Sequence, residues 1–194
     1  CTPKFAETAW DGLIQAVSAG QNDVGGDGIT ITEERAKSVD FSIGYMQIQQ
    51  RLLVRKGETR FGSIEELAAN PDFILGTQVN TTNYETAKGY LPEDRIKAFD
   101  QFPFAIQALL AGDLDAVIID EIVGMGYQGT NKDELDFVGP SISSDELGFA
   151  FTKGSDLVAP VNQALEAMKA DGTLGKLNEK FFGPGFSIGE DDIQ

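Results

Sequence analysis

Hydrophobic positions along this chain fall into short runs whose period switches between two residues and about 3.6, the signature of alternating strands and helices. Residues 4–9 read as a strand. Residues 10–19 read as a helix with Leu13, Ile14 and Val17 on one face, ended by Gly20. A short strand is expected over 23–26 and a short helix over 33–38. Residues 46–55 alternate and then turn apolar at Leu52-Leu53-Val54, as in a long strand passing between lobes. Ser63-x-x-Glu66 is a capping box opening a helix to Ala69. Then come a buried strand over 73–77, a Thr-rich turn, and a helix over 83–90. A strand over 95–99 precedes a helix at 103–111, a strand at 115–119 and a helix at 121–129. The chain returns through a strand at 147–152. Ser155 caps a helix carrying Leu157, Val161, Leu165 and Met168, with Gly172 as its stop. Thr173 opens a last helix that packs Leu174, Leu177 and Phe181. This alternation predicts an α/β architecture.

One segment recurs. Ile14-Gln-Ala-Val-Ser-Ala-Gly-Gln-Asn-Asp23 and Ile106-Gln-Ala-Leu-Leu-Ala-Gly-Asp-Leu-Asp115 share six of ten residues at an offset of 92. Both read as an amphipathic helix, a glycine stop, an Asp and a buried strand. A single period of that length is too long for a solenoid and fits two related lobes.

Beyond the repeated segment the two copies differ in charge. The first delivers Gly28-Ile29-Thr30-Ile31-Thr32-Glu33-Glu34-Arg35, running on to Asp40-Phe41-Ser42; the second ends its strand on Asp120. Backbone amides at a helix start together with an Arg fork suit a small anionic group. The plain alternative is an ordinary helix start, with Thr30-x-x-Glu33 as the capping box and Arg35 in solvent. For Asp120 the plain alternative is the N-cap of the next helix. Ligands of open α/β sheets bind beyond the carboxyl ends of strands. Lobes facing one another would therefore present a cation and an anion across one cleft, a pairing that suits a zwitterion such as a free amino acid. The turn Asn80-Thr81-Thr82 is a second candidate anion cradle, or simply an N-cap.

Composition narrows the chemistry. The chain has 194 residues, 41% of them hydrophobic, enough for one core or two small ones. A net charge of −16 argues against nucleic acid and anionic membrane surfaces as partners. One Cys and no His remove internal disulfides, Cys metal clusters, Ser-His triads and HExxH zinc sites. No phosphate-binding loop or dinucleotide fingerprint is present, and no cofactor or metal is expected. No stretch reaches the ~18 apolar residues of a membrane helix. No basic-then-apolar leader is seen, so any signal peptide has been removed or never existed. The acidic end, 189–194, reads as frayed.

Several motifs in order carry a resemblance. They are Trp10-Asp-Gly-Leu-Ile, Gly28-x-Thr-Ile-Thr-x-x-Arg35, Asp40-Phe-Ser-x-Gly-Tyr45, Leu53-Val-Arg-Lys-Gly57 and Leu109-x-x-Gly-x-x-Asp-Ala116 through Asp120. Gly148-Phe-Ala-Phe-x-Lys-Gly154, Lys169-Ala-Asp-Gly-Thr and Lys180-Phe-Phe-Gly183 complete the set. Over nearly its whole length the chain resembles the periplasmic amino-acid-binding proteins of bacterial ABC importers, solute-binding protein family 3. The resemblance implies a two-lobed type II periplasmic-binding-protein fold, a Venus flytrap with two interlobe strands. The lobes would be 1–52 with 150–194, and 53–149.

It also implies a function: binding a free amino acid between lobes and delivering it to ABC transporter membrane subunits in the periplasm or outside the cell. Arg35 would grip the α-carboxylate with Thr30. The Gly28 carbonyl and the Asp120 carboxylate would hold the α-ammonium. Thr82 would reach the carboxylate from the second lobe beside Thr81, and Trp10 would pack on the ligand side chain. Tyr45 reads as wall or hinge packing. Where the family often has Gly before its Thr pair, this chain has Asn80.

One departure from the family stands out. A strand and helix normally precede the strand placed at 4–9, so the first lobe reads as truncated at its N-terminus. A trimmed chain, a natural short form, and completion by another chain compete as explanations. An uncovered sheet edge in lobe 1 makes a dimer conceivable, and Cys1 is a candidate for lipid anchoring. The competing functions are a prephenate or arogenate dehydratase on the same scaffold, whose acid–base pair Asp120 or Glu121 would have to serve, and a sensor or interaction fragment that has lost its ligand.

Overall fold

The computed structural model describes residues 2–131 and 133–182. Cys1, Gly183 of the last motif and the acidic end at 189–194 lie outside the described residues. The chain divides into two compact units. One contains the residues up to Leu13 together with Gln47–Asp145, and the other contains Ile14–Met46 together with the residues from Glu146 on.

The first unit is built on a five-stranded sheet. Its strands are β3 (Met46–Arg55), β4 (Leu75–Gln78), β5 (Ile96–Phe99), β6 (Ala116–Asp120) and β7 (Leu135–Leu147), in the order β5-β4-β6-β3-β7. β4 runs parallel to β5 and β6, whereas β3 is antiparallel to β6 with Gln50 opposite Asp120. Both faces of this sheet are covered, which explains the unbroken apolar runs. Leu52, Val54, Ala116 and Ile118 pack to one side with residues of α3 (Ile64–Ala69) and α4 (Thr82–Lys88). Leu53, Val117 and Ile119 pack to the other with Ala105, Ile106 and Leu109 of α5 (Phe102–Ala111). Successive residues of one strand thus serve opposite cores.

The second unit holds a three-stranded sheet, β1-β8-β2, from β1 (Val24–Gly25), β2 (Val39–Phe41) and β8 (Ala150–Thr152), with β8 antiparallel to both neighbours. Its core includes Val17, Ile29, Val39, Ala150 and Phe151, all fully buried. α7 (Val158–Ala170) adds Leu165, and α8 (Thr173–Phe182) comes after it.

The repeat is reproduced in backbone geometry. Gly20 ends α1 (Trp10–Ser18) at φ +70°, and Gly112 ends α5 at φ +88°. At the first stop Gly20 N–H donates to Val17 O and Gln21 N–H to Ala16 O. At the second, Gly112 donates to Leu109 O and Asp113 to Ala108 O. These four bonds match residue for residue at the 92-residue offset. They close the last turn in the same left-handed way.

Four expectations need correction. Residues 2–9 form no strand: they join neither sheet, and Phe5 is 98% exposed. A strand needs a neighbour for its backbone groups, and this segment has no ladder to enter. Thr30 does not cap the short helix α2 (Glu33–Ala36); Thr32 does, accepting from the Arg35 N–H. Thr30 instead makes an antiparallel bridge with Leu147 and is buried. Ser155 does not cap α7, whose N-cap position falls on Leu157; its Oγ accepts the Leu157 N–H at 3.3 Å instead, and the thirteen-residue β7 covers residues before Leu147 to which the sequence reading assigns no element. Finally, Leu177 and Phe181 of α8 are 37% and 41% exposed, so that helix face is only half packed.

Candidate functional site

In the second unit, Gly28, Thr30 and Arg35 come together on one turn. Gly28 lies at φ +61°, a left-handed conformation that strains any side chain. Ile29 O then accepts from Gly148 N–H and Ile31 N–H donates to Glu146 O, which stitches the segment to the end of β7. Arg35 folds back: its Nη1 donates to the Thr30 carbonyl at 2.9 Å, and its backbone N–H is held by Thr32 Oγ1 at 3.1 Å. The guanidinium is therefore anchored to its own turn rather than extended into solvent.

Tyr45 stacks on Phe149 with ring centroids 4.9 Å apart. Burial raises its hydroxyl above the ordinary tyrosine range, and the Asp27 carboxylate adds to this. The Gly28 N–H, donating to the phenolic oxygen, opposes them. Tyr45 thus braces the Gly28 turn. Asp40 and Ser42 of the neighbouring motif serve the sheet. Asp40 takes Lys153 Nζ at 2.9 Å and the Gly154 N–H at 2.7 Å, and Ser42 Oγ accepts from Phe149 N–H at 2.9 Å. The contacts of Asp40 with Gly154 and Lys153 hold its carboxyl below the usual range.

In the first unit, Trp10, Thr81, Thr82 and Asp120 each make polar contacts at or beside residues 80–83. Trp10 Nε1 donates to the Asn80 carbonyl at 3.2 Å. Asn80 sits at φ +57°, a left-handed conformation that Gly adopts freely and Asn tolerates better than most other residues. Thr81 is the N-cap of α4: its hydroxyl accepts from Tyr84 N–H at 3.1 Å and donates to Gln78 O at 2.7 Å. Its side chain is thereby committed to the helix. Thr82 Oγ1 accepts from Gln50 Nε2 at 3.2 Å.

Asp120 ends β6 and occupies the N-cap position of α6 (Glu121–Thr130), yet it makes no side-chain cap bond. Its Oδ1 instead accepts from Asn83 Nδ2 at 3.0 Å. Glu121 is spoken for by Arg51, whose Nη1 lies 2.8 Å from Oε1.

Two residues of this cluster escaped the sequence reading, Gln50 and Asn83. Gln50 is fully buried, and its Nε2 bridges Thr82 Oγ1 and Asp145 Oδ2, the latter also at 3.2 Å. Its signal was available: Gln50 stands in the buried phase of β3, between Ile48 and Leu52. Asn83, 3% exposed in the first turn of α4, carried no such mark. Gln50 Oε1 and Asn83 Oδ1 are both buried acceptors without a hydrogen-bond partner. No group of three or more His, Cys, Asp or Glu side chains suited to a metal occurs among the described residues.

Comparison with known proteins supports a single family. The L-cystine-binding protein TcyJ of Escherichia coli strain K12 is 33% identical over 181 residues, covering 91% of this chain and 66% of that protein. The chain thus spans about two thirds of that relative's length. An ancestral arginine-binding protein bound to glutamine superposes with a TM-score of 0.84 at 38% identity, over 93% of this chain and 80% of the other. An ancestral amino-acid-binding protein, a precursor of cyclohexadienyl dehydratase, gives a TM-score of 0.82 at 38% identity, over 92% and 76%. The model of the bacterial extracellular solute-binding proteins, family 3, matches residues 1–184, and the chain belongs to that family.

Proposed function

We propose that the chain binds a free amino acid and delivers it to the membrane subunits of an ABC importer, outside the cytoplasmic membrane. Arg35, with Thr30, takes the α-carboxylate; Asp120 and the Gly28 carbonyl take the α-ammonium. Thr82 offers its backbone N–H to the carboxylate, next to the Thr81 cap, and Trp10 packs on the ligand side chain. The observation that carries this reading is the state of Asp120. A carboxylate at a helix N-cap ordinarily bonds the helix. This one makes no cap bond and is held by a buried amide instead.

Relatives support the same reading, since TcyJ is named for L-cystine and the ancestral protein was solved with glutamine. The energetics suffice. Hydrogen bonds to charged groups contribute roughly 1.5–3 kcal/mol each. Three or four of them, less ordering costs, reach about −8 kcal/mol, a micromolar affinity. Titration calorimetry with L-cystine, L-arginine and L-glutamine should show saturable binding of at least one. Absence of heat with all three, for a folded sample, would overturn the proposal.

A dehydratase on the same scaffold has one observation in its favour, the likeness to a dehydratase precursor. Of the two carboxylates offered for its acid–base pair, Glu121 is tied to Arg51, which leaves Asp120. Turnover of prephenate or arogenate would decide for it. Pairing of two molecules through the outer strands β1 and β2 belongs with the proposal and predicts a dimer in sedimentation.

A further inference from the structure

We infer that Asn83 is a positioning residue for Asp120, holding its carboxylate off the helix it would otherwise cap and turned toward an incoming ammonium group. The inference rests on the reading of Asp120 as the ammonium acceptor and names the residue that makes it one.

Burying Asn83 carries a cost. Asn83 is 3% exposed, and its Oδ1 is buried without a partner. An unpaired buried acceptor destabilises a fold, and an apolar side chain of similar volume would avoid it. Reversing the amide does not help. That would set Oδ1 against the carboxylate oxygen of Asp120, two acceptors facing each other, and strand the NH2 group where the oxygen now lies without a partner. The orientation is thus fixed by the bond from Nδ2 to Asp120 Oδ1 at 3.0 Å.

The second observation is independent. Asp120 has the extended backbone of an N-cap residue, φ −62° and ψ 131°, directly before α6, and still gives no cap bond. Left alone, a carboxylate in that place accepts from the N–H of the second or third helical residue, here Ile122 or Val123. Asn83 competes for that oxygen and wins. Its own place is set by the capped first turn of α4, where Thr81 holds the Tyr84 N–H. Gln50, opposite Asp120 on β3, repeats the pattern by donating through Nε2 while Oε1 stays buried and unpaired. The neighbourhood spends its amide donors on carboxylate and hydroxyl oxygens, and the one from Asn83 holds the Asp120 carboxylate in place.

Two variants test this, Asn83→Leu and Asn83→Ala, the second guarding against misfit of the larger side chain. Each is titrated with L-arginine and L-glutamine and with the same acids lacking the α-amino group. The expected result is a fall of tenfold or more in affinity for the amino acid. The penalty for deleting the ammonium should shrink by a similar factor, while the melting temperature of ligand-free Asn83→Leu stays level or rises. A purely structural Asn83 would lower the melting temperature and leave the ammonium penalty unchanged, which overturns the inference. A crystal structure of ligand-free Asn83→Leu decides without any ligand. Asp120 should swing to accept from Ile122 or Val123, and a carboxylate that stays in place overturns the inference. Should the unaltered protein bind neither these two nor L-cystine, the proposed function fails and this structural comparison still judges Asn83.

Discussion

Arg35 and Thr30 are tied across one turn: the guanidinium Nη1 donates to the Thr30 carbonyl at 2.9 Å, five residues back along the chain. The bond fixes the plane of the guanidinium before any ligand arrives, which lowers the ordering cost of a bidentate grip. Arg35→Ala should therefore weaken amino-acid binding at least 100-fold, because two charge-assisted bonds at roughly 1.5–3 kcal/mol each are lost. Arg35→Lys keeps the charge but not the fork, and should recover only part of the loss. Calorimetry on both variants checks this. Equal affinity in Arg35→Ala would show that the carboxylate is held elsewhere.

A different arginine holds the first unit together. Arg95 donates to four backbone carbonyls: Phe73 from Nε at 3.0 Å, Ala68 from Nη1 at 2.9 Å, and Leu67 and Asn70 from Nη2 at 3.1 and 2.6 Å. Three of these belong to the last turn and exit of α3, where carbonyls have acceptor capacity to spare and a cation also meets the negative end of the dipole. Arg95→Met should cost about 3 kcal/mol in urea unfolding, and Arg95→Lys about half of that. A loss below about 0.5 kcal/mol in the Met variant would mean that water replaces the guanidinium at little cost.

The sequence made the central elements legible where one period dominated. β3 and β6 were readable because unbroken apolar residues on a strand buried on both faces leave no other reading. β7 was not, because Gly139-Pro140 and a Ser- and Asp-rich stretch look like a loop. As the outermost strand of its sheet it buries little, so no apolar periodicity was required of it. The segment at 4–9 misled in the opposite way: a locally strand-like composition says nothing about whether a partner exists. Within the candidate site, Arg35 and Asp120 stood out as opposite charges delivered after the two copies of the repeat. Asn83 did not, since an amide in a helix's first turn is unremarkable until its unpaired oxygen is located. The plain alternative put the cap on Thr30 because Thr30 and Thr32 both fit the local rule; the Thr32 bond to the Arg35 N–H and the bridge of Thr30 to Leu147 separate them.

Acid should weaken the fold through Glu58. Its carboxylate accepts Arg60 Nη2 at 2.6 Å and Nε at 3.0 Å, and the N–H groups of Thr59 and Arg60. The Arg60 side chain is the main cause of a pKa lowered from 4.5 to about 2. A carboxyl whose folded pKa is depressed contributes fully above its unfolded value and loses that contribution as pH falls through the folded one. The window is thus pH 4.5 down to about 2. The shift alone corresponds to about 3 kcal/mol. Arg60 is 47% exposed, so solvent screening reduces this to about 1–2 kcal/mol. Glu58→Gln should flatten that part of the stability profile, measured by urea midpoints between pH 5 and 2. An unchanged slope would remove Glu58 from the account.

The repeated helix stop makes a paired prediction. Gly20 and Gly112 both have positive φ, and a Cβ built on either meets nothing within 4 Å. Alanine at these sites therefore faces no packing penalty, only the left-handed backbone, which costs roughly 1–2 kcal/mol. The two costs should agree, because the same pair of closing hydrogen bonds is at stake in each unit. Gly126 is the control. It lies inside α6 with equally open surroundings and a negative φ, so Gly126→Ala should stabilise by about 0.8–1 kcal/mol. Urea unfolding of the three variants reads all three signs together. If Gly20→Ala were neutral while Gly112→Ala was costly, the first stop would be free to re-form as continued helix, and the likeness between the two copies would extend to sequence without extending to the strain each chain reversal carries.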